Sequence, residues 1–151
     1  MINARAETVA EKPSFRSSFK KHRILIPASG FYEWKKEGTS KVPFYISLKY
    51  GKPFGFAGLL SVWTSPEKKQ IYTCTIITTS ANDRLHEIHD RMPVIIHKRD
   101  EDRWLDPAEQ DTDTLLSFLK PYPSDKMNCY HVSARVNSPA NNSPECIDKA
   151  E

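Results

Sequence analysis

Cysteine is scarce in this sequence: three in 151 residues, Cys74, Cys129 and Cys146, far apart and without a CxxC pair. An odd, scattered set builds neither a disulfide framework nor a thiolate zinc site, and it fits a reducing cytoplasm, the expected location. No apolar run reaches membrane-spanning length, so no membrane partner is expected. The opening MINARAETVAEK also lacks the basic-then-apolar layout of a signal peptide. Glycine is sparse as well, five against eleven prolines, which implies many short elements joined by fixed turns. A strong charge excess is missing too: the net +3 permits a nucleic-acid partner without arguing for one. Neither repeats nor linker-like stretches divide the chain, so one domain over 1–151 is expected. With 27% charged and 11% aromatic residues, it should be globular.

The stretch that organises the rest is Ile24–Lys36, ILIPASGFYEWKK. An apolar run meets Pro27 and the small turn Ala28–Gly30, then a second strand-like run begins at Phe31, which together read as a hairpin-like pair. Further strands are expected over Val42–Lys49, Phe54–Trp63, Gln70–Thr79, Met92–His97 and Asn128–Arg135, with Gly55 and Gly58 marking close packing or a bulge. Short helices are expected over Pro13–His22, Ser80–His89, Asp100–Trp104 and Asp113–Leu119. Met1–Glu11 reads foremost as a flexible terminus; if extended, Asn3, Arg5 and Glu7 point the same way. The expected fold class is α+β: a mainly antiparallel, barrel-like sheet with a few short helices.

Chemistry centres on two places. Glu33 sits between Tyr32 and Trp34, where a carboxylate hemmed in by aromatics would lose solvation, rise in pKa and suit proton transfer near neutrality. A solvent-facing strand Glu is the plainer reading of that stretch alone. In Ile88–Pro93, IHDRMP, His89 stands beside Asp90, which could hold its tautomer, and Arg91, whose fork suits phosphate or carboxylate. A structural ion pair of Asp90 with Arg91 or Arg84 is the competing reading. The HEIH run at His86–His89 has i, i+3 spacing and not HExxH, so no metal site and no cofactor is expected. No GxSxG elbow or P-loop occurs, and Cys74 reads as a small packed strand residue.

Four segments, Asn3–Thr8 (NARAET), Ile26–Trp34 (IPASGFYEW), Thr78–Pro93 (TTSANDRLHEIHDRMP) and Val132–Ile147 (VSARVNSPANNSPECI), together resemble the SRAP family. These SOS-response-associated peptidases are the abasic-site processing proteins. The resemblance runs in order across nearly the whole chain. It implies covalent trapping of abasic sites in single-stranded DNA, with a cysteine after the initiator Met closing a thiazolidine on the ring-opened sugar. Lyase activity and peptidase-type self-removal of the Met are implied alongside. Carried over by motif, Glu33 is the catalytic glutamate, His89 supports the Schiff-base step, and Asn3 positions the N-terminal cysteine. Arg5 and, more weakly, Arg91 would contact DNA phosphate, and Thr78 would line the same pocket.

The family's cysteine and several dozen residues ahead of the NARAET segment have no counterpart here, where Ile2 precedes Asn3. The expectation is an N-terminally truncated member that does not crosslink by itself. Two other outcomes are a non-catalytic single-stranded DNA-binding module and an inactive remnant with exposed apolar strand edges.

Overall fold

The computed structural model describes residues 2–150. Its centre is the hairpin of β5 (Phe54–Thr64) and β6 (Gln70–Ser80), the two longest strands and the ones richest in aromatic or β-branched residues. They pair from Thr64↔Gln70 back to Gly58↔Ile76 and then part. The fork is filled by β7 (Arg91–Pro93) on β6 and β8 (Ile95–Ile96) on β5. Val94 spans the two, its N–H donating to Ile77 O at 2.8 Å and its carbonyl accepting from Ala57 N at 2.8 Å. Met92–His97 was expected as one strand. It is two, because each half answers a different edge of the fork.

On the flanks, β2 (Arg23–Ala28) runs antiparallel to β5, and β1 (Asn3–Arg5) runs parallel to β6, giving a six-stranded sheet. The opening segment is therefore tied into the sheet and is no loose terminus. Gly55 and Gly58 are close-packed, as their sequence context suggested. A Cβ on Gly55 would stand 2.9 Å from Leu25, and one on Gly58 would stand 2.9 Å from Ile24.

A second sheet consists of β3 (Phe31–Glu37), β4 (Ser40–Leu48) and β9 (Met127–His131), all antiparallel. Thus β2 and β3 do not form the expected hairpin. The Ala28–Gly30 turn carries the chain from one sheet to the other, because the apolar Ile24–Ile26 run is matched to the glycines of β5 and not to β3. Gly30 is compelled at that crossing: a Cβ there would lie 2.3 Å from the Tyr45 ring and 2.7 Å from Ile46 O.

Two cores lie on opposite faces of the larger sheet. One joins Ala57, Leu59 and Ile77 to α1 (Arg16–Lys21) through Phe19, α2 (Glu101–Leu105) through Trp104 and α3 (Thr112–Ser117) through Leu115. The other places Phe56, Met92 and Ile95 against Ile46 and Met127 of the second sheet. The layers are helices, a curled half-barrel sheet and a smaller sheet, which is the α+β class expected.

Ser80–His89 departs from the expected helix. Residues 81–90 are a closed loop of turns, sealed by Ala81 N–H on Asp90 O at 3.0 Å. Asn82 holds it: its Oδ1 accepts from Leu85 N at 3.1 Å, and its Nδ2 donates to Tyr122 O at 2.6 Å. With Asn82 bonded sideways and Leu85 buried as an anchor, the segment cannot extend into a regular helix. The last strand likewise ends at His131, before the expected Arg135.

Candidate active site

Strand alternation places Phe31 and Glu33 on the face that carries Phe44 and Ile46, their cross-strand partners. That face packs into the inter-sheet core, so Glu33 stands half-buried at its margin. Tyr32 and Trp34 point the other way, into an aromatic ladder. Tyr32 lies 5.3 Å from Tyr45, which lies 5.7 Å from Tyr130. The tail covers this ladder, Tyr32 OH donating to Cys146 O at 3.2 Å and Tyr130 OH to Ile147 O at 2.8 Å. Trp34 Nε1–H donates to Asn137 Oδ1 at 2.7 Å.

Beside Glu33 opens a cleft of about 330 Å³ lined by Glu33, Trp34, Lys41, His89 and Asn137. Burial pushes the Glu33 carboxyl above its ordinary value of 4.5, against the attraction of His89 and the Trp34 backbone N–H; nearby Asp90 raises it further. The sequence reading of a desolvated Glu33 agrees with this environment, in which Phe31 and the cross-strand partner Phe44 share its face.

His89 is delivered by the 81–90 loop, its N–H donating to Leu85 O at 2.9 Å. The Arg91 backbone N–H donates to His89 Nδ1 at 3.0 Å, so the neutral ring keeps its proton on Nε2. The same Nδ1 lies 3.2 Å from Asp90 Oδ1 and 3.2 Å from Arg91 O, acceptors that would take over on protonation. This ring has a partner in either charge state, which suits a group that passes protons.

The remaining candidates gather one step away. Arg91 forks onto Glu7, with Nη1 to Oε1 at 2.5 Å and Nη2 to Oε2 at 3.1 Å, and also donates to Thr78 O at 2.6 Å. Neither ion pair read for Asp90 forms: Asp90 lies on His89, and Arg91 reaches Glu7 instead. The Arg91 pairing holds the Glu7 carboxyl below its ordinary value. Arg5 adds to it at 3.9 Å while remaining exposed. Thr78 is the register partner of Arg5, and its hydroxyl donates to Ala4 O at 3.3 Å. Asn3, paired with Ile76, shares the Arg5 and Thr78 side of the sheet, the side that looks toward the smaller sheet.

Glu33 and His89 therefore meet in one cleft. Arg5, Thr78 and Arg91 form an adjoining group joined to it through the His89–Arg91 backbone link. Asn3 lies beside that group on β1.

Sequence reasoning missed Lys41 and Asn137, and it set Glu7 beside Asn3 and Arg5 without giving it a role. Lys41 reaches the cleft only through the β3–β4 register, and Asn137 only through its bond to Trp34, although it lies in the quoted VSARVNSP segment. Cys74, expected as packed, is exposed, because β6 runs past the core at that end. No cluster of three or more metal-ligating side chains occurs among the described residues.

Against known proteins, the abasic site processing protein YoqW of Bacillus subtilis is 53% identical over 149 residues, covering 98% of this chain and 66% of that protein. The abasic site processing protein HMCES of Xenopus tropicalis is 33% identical over 165 residues, covering 96% of this chain and 49% of that protein. A crystal structure of a Bacteroides thetaiotaomicron protein superposes with a TM-score of 0.92 at 34% identity, over 99% of this chain and 66% of that one. The chain thus spans just under two thirds of YoqW and about half of HMCES. The family model for the SOS response associated peptidases matches residues 1–139, and the chain belongs to this SRAP family.

Proposed function

We propose that this chain acts on abasic sites in single-stranded DNA, with Glu33 and His89 as its acid–base pair. The observation that carries the reading is their meeting in one cleft, where burial raises the Glu33 carboxyl and His89 has a partner in either charge state. An abasic sugar in its open form presents an aldehyde. Condensation of an amine with that aldehyde forms a C–N bond and expels water, which a protonated Glu33 assists by delivering a proton to the departing oxygen. His89 takes the proton that the amine nitrogen sheds as the C–N bond forms. Lys41 at the cleft lining offers a cation to a neighbouring phosphate, and exposed Arg5 offers another. Arg91, committed to Glu7 and Thr78, acts by holding β1 and the His89 loop in place.

In the full family reaction, as the resemblance implies, the amine and thiol belong to an N-terminal cysteine, Asn3 positions it, and the product is a thiazolidine crosslink. Lyase and self-processing steps use the same acid–base pair. Cys74 is exposed, Cys129 half-buried and Cys146 buried, and none lines the cleft. These three thiols therefore take no part at the cleft, where the acid–base groups stand ready for an amine and thiol brought to them.

The test is a denaturing gel with single-stranded DNA bearing one abasic site, run with this chain and with a version beginning Met-Cys. A shifted band from the extended version alone supports the proposal. A band from the 151-residue chain would mean that another amine or thiol does the work. No band from either would overturn the assignment of the cleft.

A further inference from the structure

Beyond β4, at the end of the smaller sheet remote from the cleft, Lys49–Lys52 (KYGK) turns the chain toward β5. Lys41 lines the cleft at one end of that strand, and Lys49 lies eight residues on, about 26 Å away at strand rise. Both central residues of the turn have positive φ, Tyr50 at 66° and Gly51 at 62°. Glycine bears that conformation freely, whereas a tyrosine in it is strained, and Asn or Gly is the ordinary occupant. The Tyr50 ring is also 91% exposed, so the fold recovers nothing from it by burial. Strain and exposure together at one aromatic residue have no structural return, and such outliers point to function.

The surroundings suit one kind of ligand. A pocket of about 430 Å³ beside Tyr50 is lined by Lys49, Lys52, Lys126 and Tyr122, with Asp125 as its single acidic group. Tyr122 stacks on His97 at 4.7 Å and 27°, and a second pocket of about 490 Å³ continues past them to Lys98 and Arg99. Lys98 and Arg99 are tied to Glu101 and Asp100. Lys49, Lys52 and Lys126 have no ion pair among the described residues. An exposed ring among unpaired ammonium groups is the makeup of a single-strand nucleic-acid platform: bases stack and phosphates meet lysines.

We propose that the Lys49–Lys52 turn and the Tyr122–Lys126 segment form a second contact for single-stranded DNA, with Tyr50 stacking on a base and Lys49, Lys52 and Lys126 engaging phosphates. The inference rests on the reading of the protein as a single-strand DNA binder. It assigns a lesion-independent grip remote from the cleft.

The experiment is fluorescence anisotropy with a lesion-free, labelled single strand at several salt concentrations. It uses the parent chain, Tyr50→Gly, and a triple variant Lys49→Gln, Lys52→Gln and Lys126→Gln. Tyr50→Gly relieves the strained φ and should not lower the unfolding temperature, yet should weaken binding by about tenfold. The triple variant should flatten the slope of log affinity against log salt by about 2. Unchanged affinity in Tyr50→Gly overturns the proposal, even if the lysines still matter, because then only general attraction of a polyanion remains. An unchanged salt slope overturns it as well. Failure here leaves any preference for abasic DNA intact in Tyr50→Gly. Failure of the cleft reading removes that preference without touching the Tyr50 dependence.

Discussion

Arg23 and Glu33 are both charged groups drawn from water, and the protein treats them in opposite ways. Arg23, 7% exposed, lies between α1 and α2 and donates to five backbone carbonyls, those of Phe19, Lys20, Trp104, Asp106 and Glu109. Trp104 returns a bond from its indole N–H to Ile24 O at 2.9 Å. The guanidinium thus satisfies the loose ends of two short helices against the sheet, and its charge is absorbed by carbonyl dipoles. Glu33 stands at the margin of the other core with little more than the Trp34 N–H and the field of His89 to favour its charged form. A fully partnered buried charge fixes structure. An under-partnered one keeps its proton affinity adjustable, and that is where chemistry resides.

The largest effect separating the two regions should come from Glu33→Gln. In a version beginning Met-Cys, crosslink formation on a denaturing gel should slow by about a hundredfold or more. Its urea-unfolding midpoint should hold or rise, because an amide has no ionised form to desolvate. If stability fell instead and the rate held, the contrast with Arg23 would collapse. Arg23→Met should do the reverse, costing about 3 kcal/mol in urea unfolding by orphaning several carbonyls while leaving the cleft residues in place in whatever remains folded.

Gly30→Ala tests the crossing between the sheets. Its Cβ meets Tyr45 and the Ile46 carbonyl, so a loss of about 2 kcal/mol is expected by thermal unfolding. An unchanged melting temperature would show that the Tyr45 ring yields freely.

The smallest effects separate Glu33 from Glu7 by pH. Glu33 is raised above 4.5, so the folded state holds that proton more tightly than the unfolded chain does. Its contribution to stability is fully present below pH 4.5 and is lost as pH rises through the folded value. Glu7, lowered by Arg91, contributes above 4.5 and loses its effect as pH falls through its own folded value. Melting temperature against pH should therefore show Glu33→Gln gaining on the parent toward neutrality and Glu7→Gln falling behind it. The Glu7 difference should amount to only about 1 kcal/mol, since half of that carboxylate faces solvent. Parallel curves would mean that neither carboxyl is perturbed.

Much of this was legible beforehand. The β-branched run of β6, the glycines of β5 and the alternation around Glu33 each follow from local chemistry, and local chemistry is written residue by residue. The misreadings share another cause. Ile24–Lys36 has the pattern of a hairpin, yet β2 found its partner in the glycines of β5, more than two dozen residues on. Ser80–His89 has the caps of a helix, yet Asn82 spends its amide on Tyr122, forty residues away. In both cases a distant partner outbid the neighbour.

The sequence by itself determined most of the strands, that a carboxylate would sit among aromatics, and that a His-Asp-Arg run would stand directly ahead of a strand. It also carried the motifs that mark the family. Only the tertiary structure decided that Glu33 and His89 share a cleft, that Arg91 is held by Glu7, and that Lys41 and Asn137 complete the lining. Those facts depend on strand register and on which edge of the β5–β6 fork each half of Arg91–Ile96 fills. Register is set by side chains meeting across space, and that information belongs to pairs of residues far apart in the chain.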